Sequence, residues 1–194
     1  MPRPNPEARQ RLIATAADML QRRGLNATSI RDLAQEAKSP LGSTYHYFPG
    51  GKQQVVEEAV TYAGQLVAGH LARELRAGPA EGLRAFLALW RDTVLKSDFR
   101  AGCPVLAVAA EEPTSEEGLA VLDRAAEVFA EWEQLLATSL QAAGAGADAA
   151  AEVATLIVAA VEGSVVQCRA ARSIVPLDRI GRQLEAVIRH TIAP

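Results

Sequence analysis

Apolar residues recur along this chain with the period of an α-helix, and the alternation expected of strands is nearly absent. Ile13, Ala16, Ala17 and Leu20 fall at i, i+3, i+4 and i+7, and Gly24 sits where a helix end favours glycine. Thr28 or Ser29 then offers an N-cap to a second helix marked by Ile30, Leu33, Ala34 and Ala37. That helix must stop near Lys38, because Pro40 is tolerated only in the first turn of a following one. A third, short helix is predicted over Leu41 to Tyr47, closed by Phe48-Pro49-Gly50-Gly51. A long fourth helix follows from about Lys52 to Arg76, with Val56, Ala59, Val60, Ala63, Val67 and Leu71 on one face, and Gly78-Pro79 ends it.

Leu83, Phe86, Leu87, Trp90 and Val94 stripe a fifth helix, and a short apolar segment runs from the turn at 100–104 to Glu112-Pro113. Ser115 is positioned to cap a long helix reaching Ala143. Leu119, Leu122, Ala126, Phe129, Leu136 and Leu140 line one of its sides and Val121, Val128, Trp132 and Leu135 another, so burial on both sides is expected. After Gly144-Ala145-Gly146 come two last helices, at roughly 148–171 and 177–192, separated by Pro176. The chain therefore reads as all-α, with about nine helices and no sheet.

With 194 residues, 49% hydrophobic and 22% charged, the chain is long enough for a buried core and ordinary for a globular protein. Its start is polar and Pro-rich, unlike a signal peptide, and the apolar run within Val153–Val161 is about half of what crossing a bilayer takes. Cys103 and Cys168 match neither a metal spacing nor a secreted disulfide framework, so a cytoplasmic protein with no membrane partner is expected. No cofactor motif, nucleophile with its base, or metal-ligand cluster is visible, and His46, His70 and His190 are scattered; an enzyme is not expected. Charge changes the picture. Residues 1–52 carry eight Lys or Arg against four acids, while the remainder carries twelve against nineteen, which points to a polyanionic partner for the first part.

That first part contains two short helices joined by a tight turn behind a longer one, the layout of a helix-turn-helix. A helix entering the major groove needs small residues where its backbone nears DNA, and hydroxyls for phosphates and base edges. In the stretch SPLGSTYHYFPGGK, Gly42, Ser43 and Thr44 suit close approach. Tyr45 and Tyr47 offer hydroxyls to phosphates, and Lys52 adds a cation at a helix N-terminus. The alternative on pattern alone is that Tyr45, Tyr47 and Phe48 wedge a small three-helix core; Phe48 belongs to the core in either case.

The segment RLIATAADMLQRRGLNATSIRDLAQEAKSPLGSTYHYFPGGK resembles the DNA-binding domain of tetracycline-repressor (TetR) family regulators over roughly residues 8–58. Gly24, Thr28, Ile30, Ala34, Ala37, Gly42, Tyr45, Tyr47, Phe48 and Lys52 fall on the pattern of that family. Two departures stand out. Lys38 replaces the usual turn glycine, which implies strain if it is left-handed, and Phe-Pro-Gly-Gly-Lys is one residue longer than the common link. With Arg-Ala-Gly-Cys-Pro-Val at 100–105, that link looks like a subgroup that includes repressors of multidrug-efflux genes.

The resemblance implies a head at residues 1–52 and a regulatory and dimerisation domain at 53–194. It maps Thr28, Ser39, Tyr45, Tyr47 and Lys52 to phosphate contacts and Pro40, Leu41, Ser43 and Thr44 to base edges, with Arg3, Arg9 and Lys38 adding long-range attraction. It further implies a homodimer on a double-stranded operator, released by a small-molecule effector held between helices four and eight. The apolar faces of the last two helices, with Ile157, Val161, Val165, Ile180, Leu184, Val187 and Ile188, are the candidate dimer interface, the alternative being that they cover the chain's own core. Candidate pocket residues are His70, Trp90, Cys103, Phe129, Trp132, Glu133 and Glu162. Each has a bland alternative: a satisfied core histidine, core aromatics, an inert thiol, or a carboxylate paired with Arg91 or Arg169 or exposed at an interface edge.

Overall fold

The computed structural model describes residues 5–113 and 115–192. Among them are nine α-helices and no strand: α1 Pro6–Arg23, α2 Ile30–Glu36, α3 Leu41–Tyr47, α4 Gly51–Glu74, α5 Pro79–Lys96, α6 Pro104–Ala109, α7 Glu116–Ala142, α8 Ala147–Ala171 and α9 Val175–Thr191. A single 3-10 turn, Leu75–Ala77, follows α4. Local chemistry sets most of the ends. Asn5 caps α1 by accepting from the Glu7 and Ala8 amides, and Ser29 rather than Thr28 caps α2 by accepting from Asp32 N. The Ser115 hydroxyl accepts from Gly118 N at 3.1 Å at the start of α7.

The turn after α2 adopts the strained shape that its lysine implies. Lys38 has φ +51°, and Ser39 N closes the turn on Ala34 O at 2.8 Å. A side chain in this left-handed region costs on the order of 1 kcal/mol relative to glycine. Lys38 itself is exposed, so its ammonium faces solvent.

Two compact units divide the chain, Met1–Gly64 with Pro104–Val128, and Gln65–Cys103 with Phe129–Pro194. In the first, α1 packs on α2, α3 and α6. Leu12, Met19, Leu20, Leu33, Phe48, Val56 and Val60 fill its core with essentially no exposure. Arg9 lies 5.1 Å from the Phe48 ring centroid and pairs with Glu58 at 2.6 Å, closing the core from outside. In the second, α5, α8 and α9 pack on one another around Leu83, Phe86, Trp132, Ile157, Val161 and Leu184. Gly181 permits close contact of α9 with α5, because an added Cβ would sit 2.9 Å from Leu87 Cδ1.

The expectation that α7 is buried on both sides holds for its later turns, where Trp132, Leu136 and Leu140 are buried, but not for its first ones. Val121, Ala125, Val128, Trp132 and Leu136 form one buried stripe, whereas Leu119 is 50% exposed and Ala126 is also exposed. The 3.6-residue period allows two overlapping stripes at the start of this helix, and packing selects only one of them.

Phe48 has no exposure and closes the C-terminal end of α3. Phe48→Ala is expected to lower the unfolding free energy by about 3–5 kcal/mol in urea denaturation; a loss below about 1 kcal/mol would mean that the site collapses without it.

Candidate functional site

The outward surface of the first unit is built by the period of α3. Leu41, Gly42, Tyr45 and His46 are exposed, at i, i+1, i+4 and i+5, while Thr44 and Phe48 point inward. Lys38 and Pro40 are exposed just ahead of them, and Ser39, Ser43, Tyr47 and Lys52 are half-buried at the margin. Tyr45 is 54% exposed despite its ring. A Cβ placed on Gly42 would meet no atom within 4 Å, so nothing in the chain itself requires glycine there.

Several expectations at this surface change. Thr44, expected at base edges, is fully buried and its hydroxyl donates to Pro40 O. Thr28, expected at a phosphate, is 3% exposed and its hydroxyl donates to Gly24 O at 2.8 Å. In both cases a one-turn return to the backbone satisfies a hydroxyl that has no access to solvent. The Tyr47 hydroxyl accepts from Asn5 N at 3.1 Å, which ties the start of α1 to the end of α3. Arg9 is engaged with Glu58 and Phe48, and Arg3 lies outside the described residues. His46, by contrast, joins the exposed face although its contribution was not expected; the signal was its i+4 spacing from Gly42.

Of the pocket candidates, the second unit brings the rings together. Trp132 stands 5.6 Å from Phe129, 6.0 Å from Phe86 and 6.4 Å from Trp90 between ring centroids, in edge-on or tilted arrangements. Glu162 on α8 is 3% exposed, and apart from the Cys103 thiol its carboxyl oxygens meet no hydrogen-bond partner. Burial pushes its pKa up to about 8 from an ordinary 4.5, and a hydrogen bond from the Cys103 thiol offsets this only in part. At neutral pH the carboxyl is therefore mostly protonated. Trp90 Nε1 is a buried group without a partner. Unsatisfied polar groups of this kind are costly, which makes them candidates for ligand contact.

The other candidates are explained without a ligand. The cations considered as partners for Glu162 are engaged elsewhere: Arg91 donates to Asp178, and Arg169 donates to Arg100 O at 3.2 Å. Glu133 accepts from Thr155 Oγ1 at 3.0 Å on an exposed stretch between α7 and α8. His70 has Nε2 3.4 Å from Ala85 O and Nδ1 2.7 Å from Arg73, so both ring nitrogens are engaged. Among the described residues no group of three His, Cys, Asp or Glu is placed to hold a metal.

The candidate dimer residues also need correction. Ile157, Val161, Val165, Leu184 and Ile188 are at most 3% exposed within the single chain, so they form its core; Ile180 and Val187 remain half-buried. A different stripe of α8 faces outward. Leu156 and Val166 are 46% and 49% exposed, and Ala159, Gly163 and Ala170 lie between and beyond them at spacings of three and four. With this second apolar face α8 is apolar over most of its circumference, and it is long and apolar enough by composition to cross a membrane.

Sequence comparison agrees with both parts. Residues 12–59 match the family described as bacterial regulatory proteins, tetR family, and residues 79–183 match the C-terminal domain of LmrA/YxaF-like transcriptional regulators. The chain is 41% identical over 183 residues to an uncharacterised HTH-type transcriptional regulator of Mycobacterium tuberculosis, covering 93% of each. It is 29% identical over 186 residues to the HTH-type transcriptional regulator LmrA of Bacillus subtilis, covering 95% of this chain and 98% of that one. In fold it is similar to a TetR transcriptional regulator from Legionella pneumophila, with TM-score 0.83, 19% identity, and 96% and 98% of the two chains covered.

The buried acid makes stability depend on pH. Between about pH 4.5 and 8 the folded chain holds a proton on Glu162 that the unfolded chain releases, so its contribution is greatest at low pH and is lost as pH rises through 8. Glu162→Gln is expected to become more stable relative to wild type on going from about pH 5 to about pH 8.5, as read from urea midpoints. The same difference at both pH values would show an ordinary carboxyl.

Proposed function

We propose, for a chain that belongs to the TetR family of bacterial transcriptional regulators, that it acts as a repressor: a homodimer on a palindromic operator, released by a small, largely apolar effector. The chain is a regulator of transcription and not an enzyme. Residues 1–52 present the reading surface, and residues 53–194 carry pairing and the effector response. The observation that carries the reading is the exposed face of α3, where Gly42 has no neighbour from its own chain and is flanked by Tyr45, His46 and the Lys38 ammonium. A glycine inside a helix disfavours that helix by about 0.5–1 kcal/mol relative to alanine, so a partner that needs close approach supplies the reason for it.

In this reading Lys38, Ser39, Tyr45, Tyr47 and Lys52 meet phosphates, and Pro40, Leu41, Ser43 and His46 face base edges. Thr28 and Thr44 act through the fold instead. One seven-residue helix spans only a few base pairs, so useful specificity calls for two copies. The outward stripe Leu156, Ala159, Gly163, Val166 and Ala170, with Ile180 and Val187 beside it, supports pairing through α8 and α9. Gly163, like Gly42, has open space where a Cβ would stand. Trp90, the ring cluster and Glu162 support an effector with a flat apolar body and a polar group. Effector binding favours a spacing of the two heads that does not fit the operator, and by linkage DNA weakens effector binding equally. The FPGGK and GCPV segments support a place among efflux-gene repressors, and such a protein works in the cytoplasm.

Selection from a random pool of DNA duplexes by the purified protein is expected to return an inverted repeat. Its log affinity should fall with log salt at a slope of about −5 to −7, for three or four phosphates neutralised per subunit. No enrichment, together with a monomer at micromolar concentration, would sink the reading. Gly42→Ala is expected to raise the melting temperature slightly while weakening the selected duplex by about tenfold. Gly163→Ala should likewise leave the fold intact and weaken the dimer in sedimentation; unchanged pairing would place the interface elsewhere.

A further inference from the structure

The turn between α1 and α2 is held from a distant part of the chain. Glu111 follows α6, and its Oε1 accepts from Leu25 N at 2.6 Å while Oε2 accepts from Asn26 N at 3.0 Å. One carboxylate thus satisfies two successive backbone amides, a charge-assisted pairing stronger than neutral hydrogen bonds. Gly24 fits this contact in two ways. Its φ of +78° suits glycine, and a Cβ there would stand 2.7 Å from Glu111 Oε1. The turn then passes its shape along: Thr28 N donates to Leu25 O, the Thr28 hydroxyl donates to Gly24 O, and Ser29 caps α2. No ion pair at Glu111 occurs among the described residues, so the carboxylate acts on amides alone.

We propose that Glu111 is a positioning residue for DNA recognition, its carboxylate setting the α1–α2 turn and hence the placement from which α2 and α3 meet the duplex. Segment 104–113 lies far outside the 1–52 head, yet it belongs to the same compact unit, with α6 packed on α1. DNA affinity is then controlled from a residue that touches no DNA. A small cleft of about 80 Å³ beside the contact, lined by Asn26, Lys52, Glu111 and Pro113 among others, leaves room for the carboxylate to move off the turn. The inference rests on the proposed DNA binding.

The test compares Glu111→Ala, Glu111→Gln and the neighbouring Glu112→Gln in binding to the duplex selected by the wild-type protein, well below their melting temperatures. Glu111→Ala is expected to weaken binding by about tenfold with an unchanged salt slope, and to lose hydrogen-exchange protection at the Leu25 and Asn26 amides. Glu111→Gln, which keeps one acceptor oxygen, should fall between. Glu112→Gln removes the same charge from an exposed neighbour and should bind as tightly as wild type or tighter. If Glu111→Ala also binds within about twofold of wild type or tighter, the residue acts only as bulk charge and the proposal is overturned. Should the alanine variant fail to fold, Glu111→Gln carries the comparison: wild-type affinity with wild-type protection at both amides overturns the proposal equally. A wild-type protein that selects no duplex defeats the DNA-binding reading first, before Glu111 is tested.

Discussion

A seven-residue helix does not hold its shape alone in water, because nucleation costs more than so few hydrogen bonds return. α3 is such a helix, and it lacks a side-chain N-cap. Its stability comes from below: Thr44 and Phe48 are fully buried, and the Phe48 ring is covered by the Arg9 guanidinium. Everything that the outward face of α3 does depends on that burial. The same helical period that sends Thr44 and Phe48 inward turns Gly42, Tyr45 and His46 outward.

The second unit repeats this logic on a larger scale. α8 is apolar over most of its circumference, and one side is occupied by the chain's own core. The other carries two large exposed aliphatic residues separated by small ones, a geometry that lets another helix approach closely. Gly42 and Gly163, like several other glycines, have open space where a Cβ would stand, and both lie on exposed helix faces. Both are helical positions where alanine would favour the isolated fold.

Glu162 is the clearest conflict between fold and local preference. A carboxyl buried with only the weak Cys103 thiol as donor keeps its proton at neutral pH. Apolar replacement would relieve the cost of burying it. Glu111 is the opposite case. It is a half-buried carboxylate that meets two backbone amides and ties residues 86 and 85 positions apart.

The sequence by itself determined the elements and the kind of head they form. Apolar spacing located the nine helices of the described residues to within a few residues, Pro40 marked the turn at Lys38, and the third helix was expected at Leu41–Tyr47, where it is found. These features depend on interactions within one or two turns, which local sequence encodes. Only the tertiary structure decided which of two apolar stripes is core. It buried Ile157, Val161 and Leu184, exposed Leu156 and Val166, and left Leu119 on the outside of α7. It also decided which hydroxyls turn back to their own backbone, as at Thr28 and Thr44, which carboxylates meet backbone amides, as Glu111 does, and which are buried, as Glu162 is. Helical periodicity specifies angles about an axis, whereas burial depends on which neighbour occupies each angle, and that neighbour comes from residues far away along the chain.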